Sequence, residues 1–259
     1  ETPGYTIFSY DAQAGKLTVR RDCAGVRHPG GEFPAFDLFF AQGSEKQVFD
    51  VWFMAMHCAA RPAPRLTGYS SWYNRYQDIS AASVAEDLEG YRQVLPKGSL
   101  FQIDDGWEPF VGDWMGTDPK KFPDGLAPFV ERSHESGLLA GLWLAPFVCE
   151  TKSKIYREHP DWAFTIPGRK PVRARYQLVL DYSRKEVVDG IFTQIAKVLD
   201  ETRADYVKMD MNRHLTDVWS KTAGEQNQGA ILHRYMLGVY DFLERLHERY
   251  PDLLIEGCS

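Results

Sequence analysis

The sequence predicts an α/β fold, a parallel sheet with helices packed outside it. Three observations carry that expectation. From Leu66 onward, strand-like and helical segments alternate strictly, as parallel strands joined by crossover helices do. The stretch Tyr206–Arg213, YVKMDMNR, alternates with period two. Val207, Met209 and Met211 form an apolar face, and Lys208, Asp210 and Asn212 a polar one. The longest loops, 106–127, 148–175 and 212–228, all follow C-terminal ends of predicted strands, where polar and aromatic residues also gather. A strand with one face on helices and the other toward an enclosed centre suits an eight-fold barrel with its chemistry on that rim. An open doubly wound sheet is the alternative. No G-x-G-x-x-G or G-x-x-x-x-G-K-[ST] pattern follows any strand, so the nucleotide-binding versions of that sheet lose ground.

The N-terminal stretch has a different period. Tyr5–Tyr10 and Lys16–Arg21 alternate around the turn-rich Asp11–Gly15 and predict a hairpin. Arg27–Gly31 reads as a loop and Ala35–Phe40 as a further strand. Ser44 with Gln47 is a capping-box pattern, and Val48, Phe49, Trp52, Phe53 and Met56 fall on one helical stripe. Ala60-Arg61-Pro62-Ala63-Pro64 reads as a stiff linker. Residues 1–62 are therefore expected to be the tail of a preceding β-rich domain with a connecting helix and linker. Residues 63–259 form the α/β domain.

Within that domain six strands and five helices are expected. The strands are Leu66–Tyr73, Ser99–Ile103, Leu138–Phe147, Tyr176–Asp181, Ala204–Met211 and Leu253–Cys258. Ser83–Val94 is a helix capped by Ser83 with Glu86, and Pro128–Glu135 one ended by Gly137. Lys152–His159 is a short helix before Pro160. Lys185–Glu201 is amphipathic, with Val187, Val188, Ile191, Ile195 and Val198 inward and a cap at Ser183 with Glu186. Gly229–Arg249 directs Leu232, Tyr235, Met236, Val239, Phe242, Leu243 and Leu246 inward.

Composition narrows the function. A formal charge of −6 argues against nucleic-acid or anionic-membrane partners. No apolar run reaches the ~18 residues of a membrane span, and residues 1–4 show no signal peptide. Cys23, Cys58, Cys149 and Cys258 form no C-x-x-C pair, and the seven histidines no H-E-x-x-H pair, so a metal site is not expected. Reduced thiols fit a cytoplasmic protein better than a disulfide framework.

The strand ends collect Trp72, Asp104, Asp105, Trp143, Asp181, Lys208, Asp210, Asn212, Glu256 and Cys258, with Arg175 just before one of them. Carboxylates, a few cations, amides and indoles without a metal cluster suit a sugar. Hydroxyl groups need paired donors and acceptors, and the ring's apolar face needs an aromatic. Each residue also has a plainer reading. Lys208 and Asp210 could be a structural ion pair, Asp104-Asp105 a turn or helix cap, Trp143 core, and Cys258 a small buried residue. Gly141, on the face of Trp143, is expected to leave space beside the indole.

Four segments sharpen this: SSWYNRYQDIS (70–80), FQIDDGW (101–107), GLWLAPF (141–147) and DYVKMDMNR (205–213), with EGCS (256–259) a fifth. In order and spacing the chain over roughly 65–259 resembles the microbial α-galactosidases of glycoside hydrolase family 36. The resemblance implies a (β/α)8 barrel of TIM type, represented here by about six β/α units, behind the tail of an N-terminal β-sandwich domain. It implies a retaining mechanism with Asp210 as nucleophile. Asp104 and Asp105 match residues that bind the 4- and 6-hydroxyls of galactose. Trp143 matches a wall of that subsite, and Arg175, Asn212 and Cys258 line it, the last two near the 2-hydroxyl. Lys208 favours the ionised Asp210, and Trp72 is a further wall. The resemblance implies no cofactor, α-galactoside oligosaccharides as partners, and a homo-oligomer at full length.

Two departures from the family's pattern stand out. Ala145 and Phe147 occupy positions where one branch has glutamates. The family's general acid/base is an Asp beyond the strand that begins at EGCS, so it is expected to be absent from this chain, with Asp181 and Glu256 candidates only by default. Retention needs two carboxyls about 5–5.5 Å apart. The chain is thus expected to be a segment of a longer enzyme and inactive by itself. An α-N-acetylgalactosaminidase, a galactosyl-transferring relative and a non-catalytic galactoside-binding module are the alternatives.

Overall fold

The computed structural model of the chain describes residues 6–21, 30–32, 38–56 and 64–258. These form two compact units, one before and one after Leu66. In the first, β1 (Thr6–Asp11) and β2 (Lys16–Arg21) pair antiparallel, with Asp11 opposite Lys16. Asp11 Oδ1 accepts from the amides of Gln13 and Ala14 and so closes the turn. Helix α1 (Glu45–Ala55) begins at the expected Ser44–Gln47 capping box, and none of its residues is buried. Of the strand expected over 35–40, only Leu38–Phe40 are described, and they are not in a strand. Residues 60–63 of the expected linker, most of the 27–31 loop, Cys23 and Cys58 lie outside the described residues.

The second unit is built on five parallel strands: β3 (Gly68–Ser70), β4 (Leu100–Ile103), β5 (Leu139–Leu144), β8 (Tyr206–Asp210) and β9 (Leu254–Cys258). Their spatial order follows chain order without reversal. That is the single winding of a barrel wall. A doubly wound sheet reverses direction at a switch point. The register sets Lys208 beside Trp143 on β5 and beside Glu256 on β9.

The expected fourth barrel strand is the main correction. Its core becomes β7 (Gln177–Val179), which pairs antiparallel with β6 (Val148–Glu150) outside the parallel sheet. The sheet therefore has five strands instead of six. An apolar run specifies a strand but not its partner, and Val148–Glu150 offers an antiparallel edge first. The expected strand 138–147 accordingly stops at Leu144. The strand expected over 66–73 is only three residues long, and α2 (Ser71–Arg75) takes up the rest, so Trp72 is helical.

Around the sheet lie α3 (Ala81–Tyr91), α4 (Ala127–Glu135), α5 (Lys154–Glu158), α6 (Lys185–Thr202) and α7 (Ile231–Arg249). Two caps differ from expectation. Helix α3 is capped by Ser80 with Ser83 in a capping box, because Ser80 is the last extended residue and Ser83 is already helical. Helix α6 has no side-chain cap; the Ser183 hydroxyl goes to Asp181. All five residues predicted inward on α6 are buried. Each adds roughly 1.5–3 kcal/mol relative to exposure. On α7, Leu232 is exposed, and Ile231 takes the buried position after a 3-10 turn at Glu225–Ala230. Gly238 sits where a Cβ would stand 1.9 Å from the Tyr182 carbonyl oxygen, so α7 reaches that backbone only as glycine.

Candidate active site

The alternation of β8 places its residues as the pattern requires. Val207 and Met209 are buried in the core, while Lys208 and Asp210 line a cavity of about 160 Å³. The same cavity is lined by Trp72, Asp104, Asp105, Trp143, Arg175, Asn212 and Cys258, so the structure brings every one of these sequence-predicted residues together. Tyr73 is the one added residue.

Asp104 is buried at the end of β4. Its Oδ2 accepts from Lys208 Nζ at 3.0 Å, Gln102 Nε2 at 2.9 Å and Ser70 Oγ at 3.3 Å. Its amide donates to Ser71 Oγ at 2.8 Å. The ion pair that Lys208 makes is therefore with Asp104, and the plainer reading of a Lys208–Asp210 pair is not what the structure shows. Burial opposes the Lys208 charge, but the hydrogen bond and charge of Asp104 outweigh it and hold the ammonium above its usual range. Asp105 accepts from Gln77 Nε2 at 2.8 Å. Next to it, buried Glu108 accepts from the Gly106 amide. Burial first, then the charge and hydrogen bond of Asp105, push the Glu108 carboxyl well above its usual range. Gly106 has φ +116°, and a Cβ there would meet Gln77 O at 2.7 Å, so the turn after Asp104-Asp105 demands glycine.

Asp210 is held on one oxygen only. Oδ2 accepts from Trp143 Nε1 at 3.1 Å and from Asn212 Nδ2. Oδ1 is buried and has no hydrogen-bond partner among the described residues. A buried carboxylate oxygen left free is costly unless a ligand engages it. Trp143 is fixed in turn by its neighbours. Its carbonyl accepts from Trp107 Nε1 at 3.0 Å, and its ring meets that of Trp114. Gly141 does not leave open space beside it: a Cβ there would meet Leu100 and Tyr206 at 3.0 Å, so the glycine serves close side-chain packing.

Cys258 borders the cavity as a free, half-buried thiol, pushed up in pKa by burial and then by the Asp210 charge. Arg175 reaches it from a left-handed backbone, φ +50°. Asp181 and Glu256 do not line it. Asp181 is buried, raised in pKa by burial, and bonded to Ser183. Glu256 accepts from the Tyr206 hydroxyl and borders a separate space of about 310 Å³. A larger cavity, about 450 Å³, lies against Trp162 and Gly190 and gathers none of the residues predicted for the site.

Ser70, Ser71, Gln77, Gln102 and Glu108 carry no sequence signal singled out above, and Lys121, which reads with Lys120 as solvated charge, is instead engaged in the site's support. Gln102 could have been found, since it lies two residues before Asp104 and so shares its face of β4. Lys121 Nζ holds the Gln77 and Gly106 carbonyls at 2.8 and 3.0 Å, a contact between distant loops that no local pattern announces.

An arc of parallel barrel strands with carboxylates gathered at their C-terminal ends defines the class: a catalytic barrel of the TIM type. The melibiase family model matches residues 59–259. Alpha-galactosidase Mel36A of Lactobacillus acidophilus is 47% identical over 167 residues, 62% of this chain and 23% of that protein. Alpha-galactosidase 1 of Pediococcus pentosaceus is 40% identical over 197 residues, 73% of this chain and 26% of its own length. Among solved structures, the alpha-galactosidase AgaA of Geobacillus stearothermophilus superposes with a TM-score of 0.71 at 34% identity, covering 78% of this chain and 29% of that one. A substituted form of the same enzyme in complex with raffinose gives 0.72 at 35% identity, with the same coverage of both chains. The chain belongs to the melibiase family. It spans about a quarter of the length of the curated relatives it matches.

Among the described residues, no helix is long and apolar enough to cross a membrane.

Proposed function

We propose that the protein is a retaining α-galactosidase that removes terminal α-D-galactosyl residues from oligosaccharides of the melibiose and raffinose type. The observation that carries this reading is the one-sided grip on Asp210, a residue that lines the cavity: Oδ2 is fixed by Trp143 and Asn212, and Oδ1 is buried and unpartnered among the described residues. On this reading the Asp210 carboxylate attacks the anomeric carbon as the glycosidic bond breaks, a general acid protonates the leaving oxygen, and water then hydrolyses the glycosyl-enzyme. Asp104 and Asp105 accept from the 4- and 6-hydroxyls. Trp143 and Trp72 wall the ring. Arg175, Asn212 and Cys258 line the remaining side, with Asn212 and Cys258 near the 2-hydroxyl. Lys208 neutralises Asp104 and places a positive charge close to Asp210. Neither Asp181 nor Glu256 lines the cavity, so the reading assigns the acid/base to no residue of this chain. Residues 1–62 are read as the tail of a β-sandwich domain, and a cytoplasmic location belongs to the same reading.

The test is hydrolysis of an aryl α-galactoside and of raffinose by the full-length protein, with NMR of the first galactose released. The expected product is the α-anomer. Release of the β-anomer would overturn retention. Galactose binding without hydrolysis would make the protein a binding module, and preference for a 2-acetamido substrate would make it an α-N-acetylgalactosaminidase.

A further inference from the structure

Arg213 follows directly on the Asp210–Asn212 pair and does not line the cavity. It is buried, 8% exposed, and its guanidinium spends its donors on oxygens without full charge. Nη1 and Nη2 both donate to Val172 O at 3.3 Å, Nη1 also to Gln177 O, Nη2 to Thr216 Oγ1, and Nε to His214 O at 3.2 Å. A buried cation serving mainly backbone carbonyls is expensive, and it persists where those carbonyls must be held in place.

The two carbonyls from residues 172 and 177 bracket a short loop. Within it, Ala174 and Gln177 form an isolated antiparallel bridge, with the Gln177 amide donating to Ala174 O at 2.9 Å. The residues between them, Arg175 and Tyr176, have φ of +50° and +64°. Two successive left-handed residues closed by such a bond have the pattern of a type I′ turn, which favours Asn and Gly at both places. Here they are arginine and tyrosine, and the arginine lines the Asp210 cavity. The Val172 amide is held as well, donating to Asp217 Oδ2 at 2.6 Å.

We propose that Arg213 is a positioning residue that clamps both ends of the 172–177 loop, so that a strained turn keeps Arg175 in the wall of the Asp210 cavity. The functional consequence rests on the galactosidase reading; the clamp itself does not. The end of β8 and the three residues after it thus set the site twice, through Asp210 directly and through the loop that Arg213 anchors.

The test uses the full-length protein and the variant Arg213→Lys, which keeps the charge and loses the forked donor set. Two readouts are needed: amide exchange of the Gln177 N–H, and KM against kcat on an aryl α-galactoside. Gln177 should exchange at least about ten-fold faster. KM should rise about ten-fold with a smaller fall in kcat, and this change should vanish in an Arg175→Ala background. A lowered Tm with exchange and KM unchanged would overturn the clamp, as would a KM effect that adds fully to that of Arg175→Ala. Should the lysine variant not fold, Thr216→Val decides, since it removes one acceptor only. Changes in the same direction support the clamp, and none overturns it. If the wild-type protein hydrolyses no galactoside, the proposed function fails, and amide exchange alone decides the clamp.

Discussion

Lys208 donates from Nζ to Asp104 Oδ2 across 3.0 Å, reaching past β5, the strand that lies between their own. The cation neutralises the carboxylate that already accepts Gln102 and Ser70, and Asp210 is left with neutral donors only. Asp210 is thus held by an indole and an amide, with the Lys208 ammonium nearby but paired to Asp104.

Asp210→Ala should therefore abolish chemistry and spare recognition. In the full-length protein kcat should fall by at least ~10³-fold. The Kd for galactose, measured by calorimetry, should change by less than about ten-fold, because the other lining residues remain. Lost binding with turnover retained would return Asp210 to a structural part.

Glu108 gives a pH signature. Its folded pKa is raised, so the folded state holds a proton that the unfolded chain releases above about 4.3. Its contribution to stability is present below that value and is lost as pH rises toward the folded pKa. Glu108→Gln is neutral at every pH. Relative to wild type it should gain stability between pH 4 and pH 8, measured by urea unfolding. A difference that stays flat with pH would show that Glu108 is already ionised in the folded protein.

Asp87 behaves with the opposite sign. It is buried on α3 and accepts from Tyr69 at 2.6 Å and from Arg75 Nε and Nη2 at 2.6 and 2.7 Å. Burial pushes its carboxyl up, but the hydrogen bonds from Arg75 and Tyr69 outweigh burial and hold it below the usual range. That stability is present above about pH 4 and is lost as pH falls through the lowered folded pKa. Asp87→Ala should cost about 3 kcal/mol at pH 7, because it strands partners on α2, the helix that carries Trp72. The cost should shrink at pH 3. Equal unfolding midpoints of variant and wild type at pH 7 would refute it.

Gly238→Ala should destabilise despite alanine's better helix propensity. Propensity offers about 1 kcal/mol. A methyl 1.9 Å from the Tyr182 carbonyl forces α7 outward, and overpacking of this kind costs about 1–3 kcal/mol. The net effect should be a lowered Tm. A raised one would mean that the helix slides freely at this contact.

Much of this site was legible in the chain. Period two in Tyr206–Arg213 put Lys208 and Asp210 on one face, and the motif-bearing strand ends supplied Asp104, Asp105 and Trp143. What stayed hidden was partnership. The same alternation left a plain Lys208–Asp210 ion pair open, whereas register across β4, β5 and β8 hands the ammonium to Asp104. Gln177–Val179 looked like a barrel strand because an apolar run is silent about which edge it will meet. The left-handed turn at Arg175 and Tyr176 carried no glycine or asparagine to announce it.

Trp143 gives the site a built-in optical reporter. Its indole donates to Asp210, and Trp114 stands between it and Trp107, with ring centroids 6.1 and 5.8 Å apart. Rings so close couple their transition dipoles and exchange excitation energy. Near-ultraviolet circular dichroism and intrinsic emission therefore register a ligand at the carboxylate with no label attached.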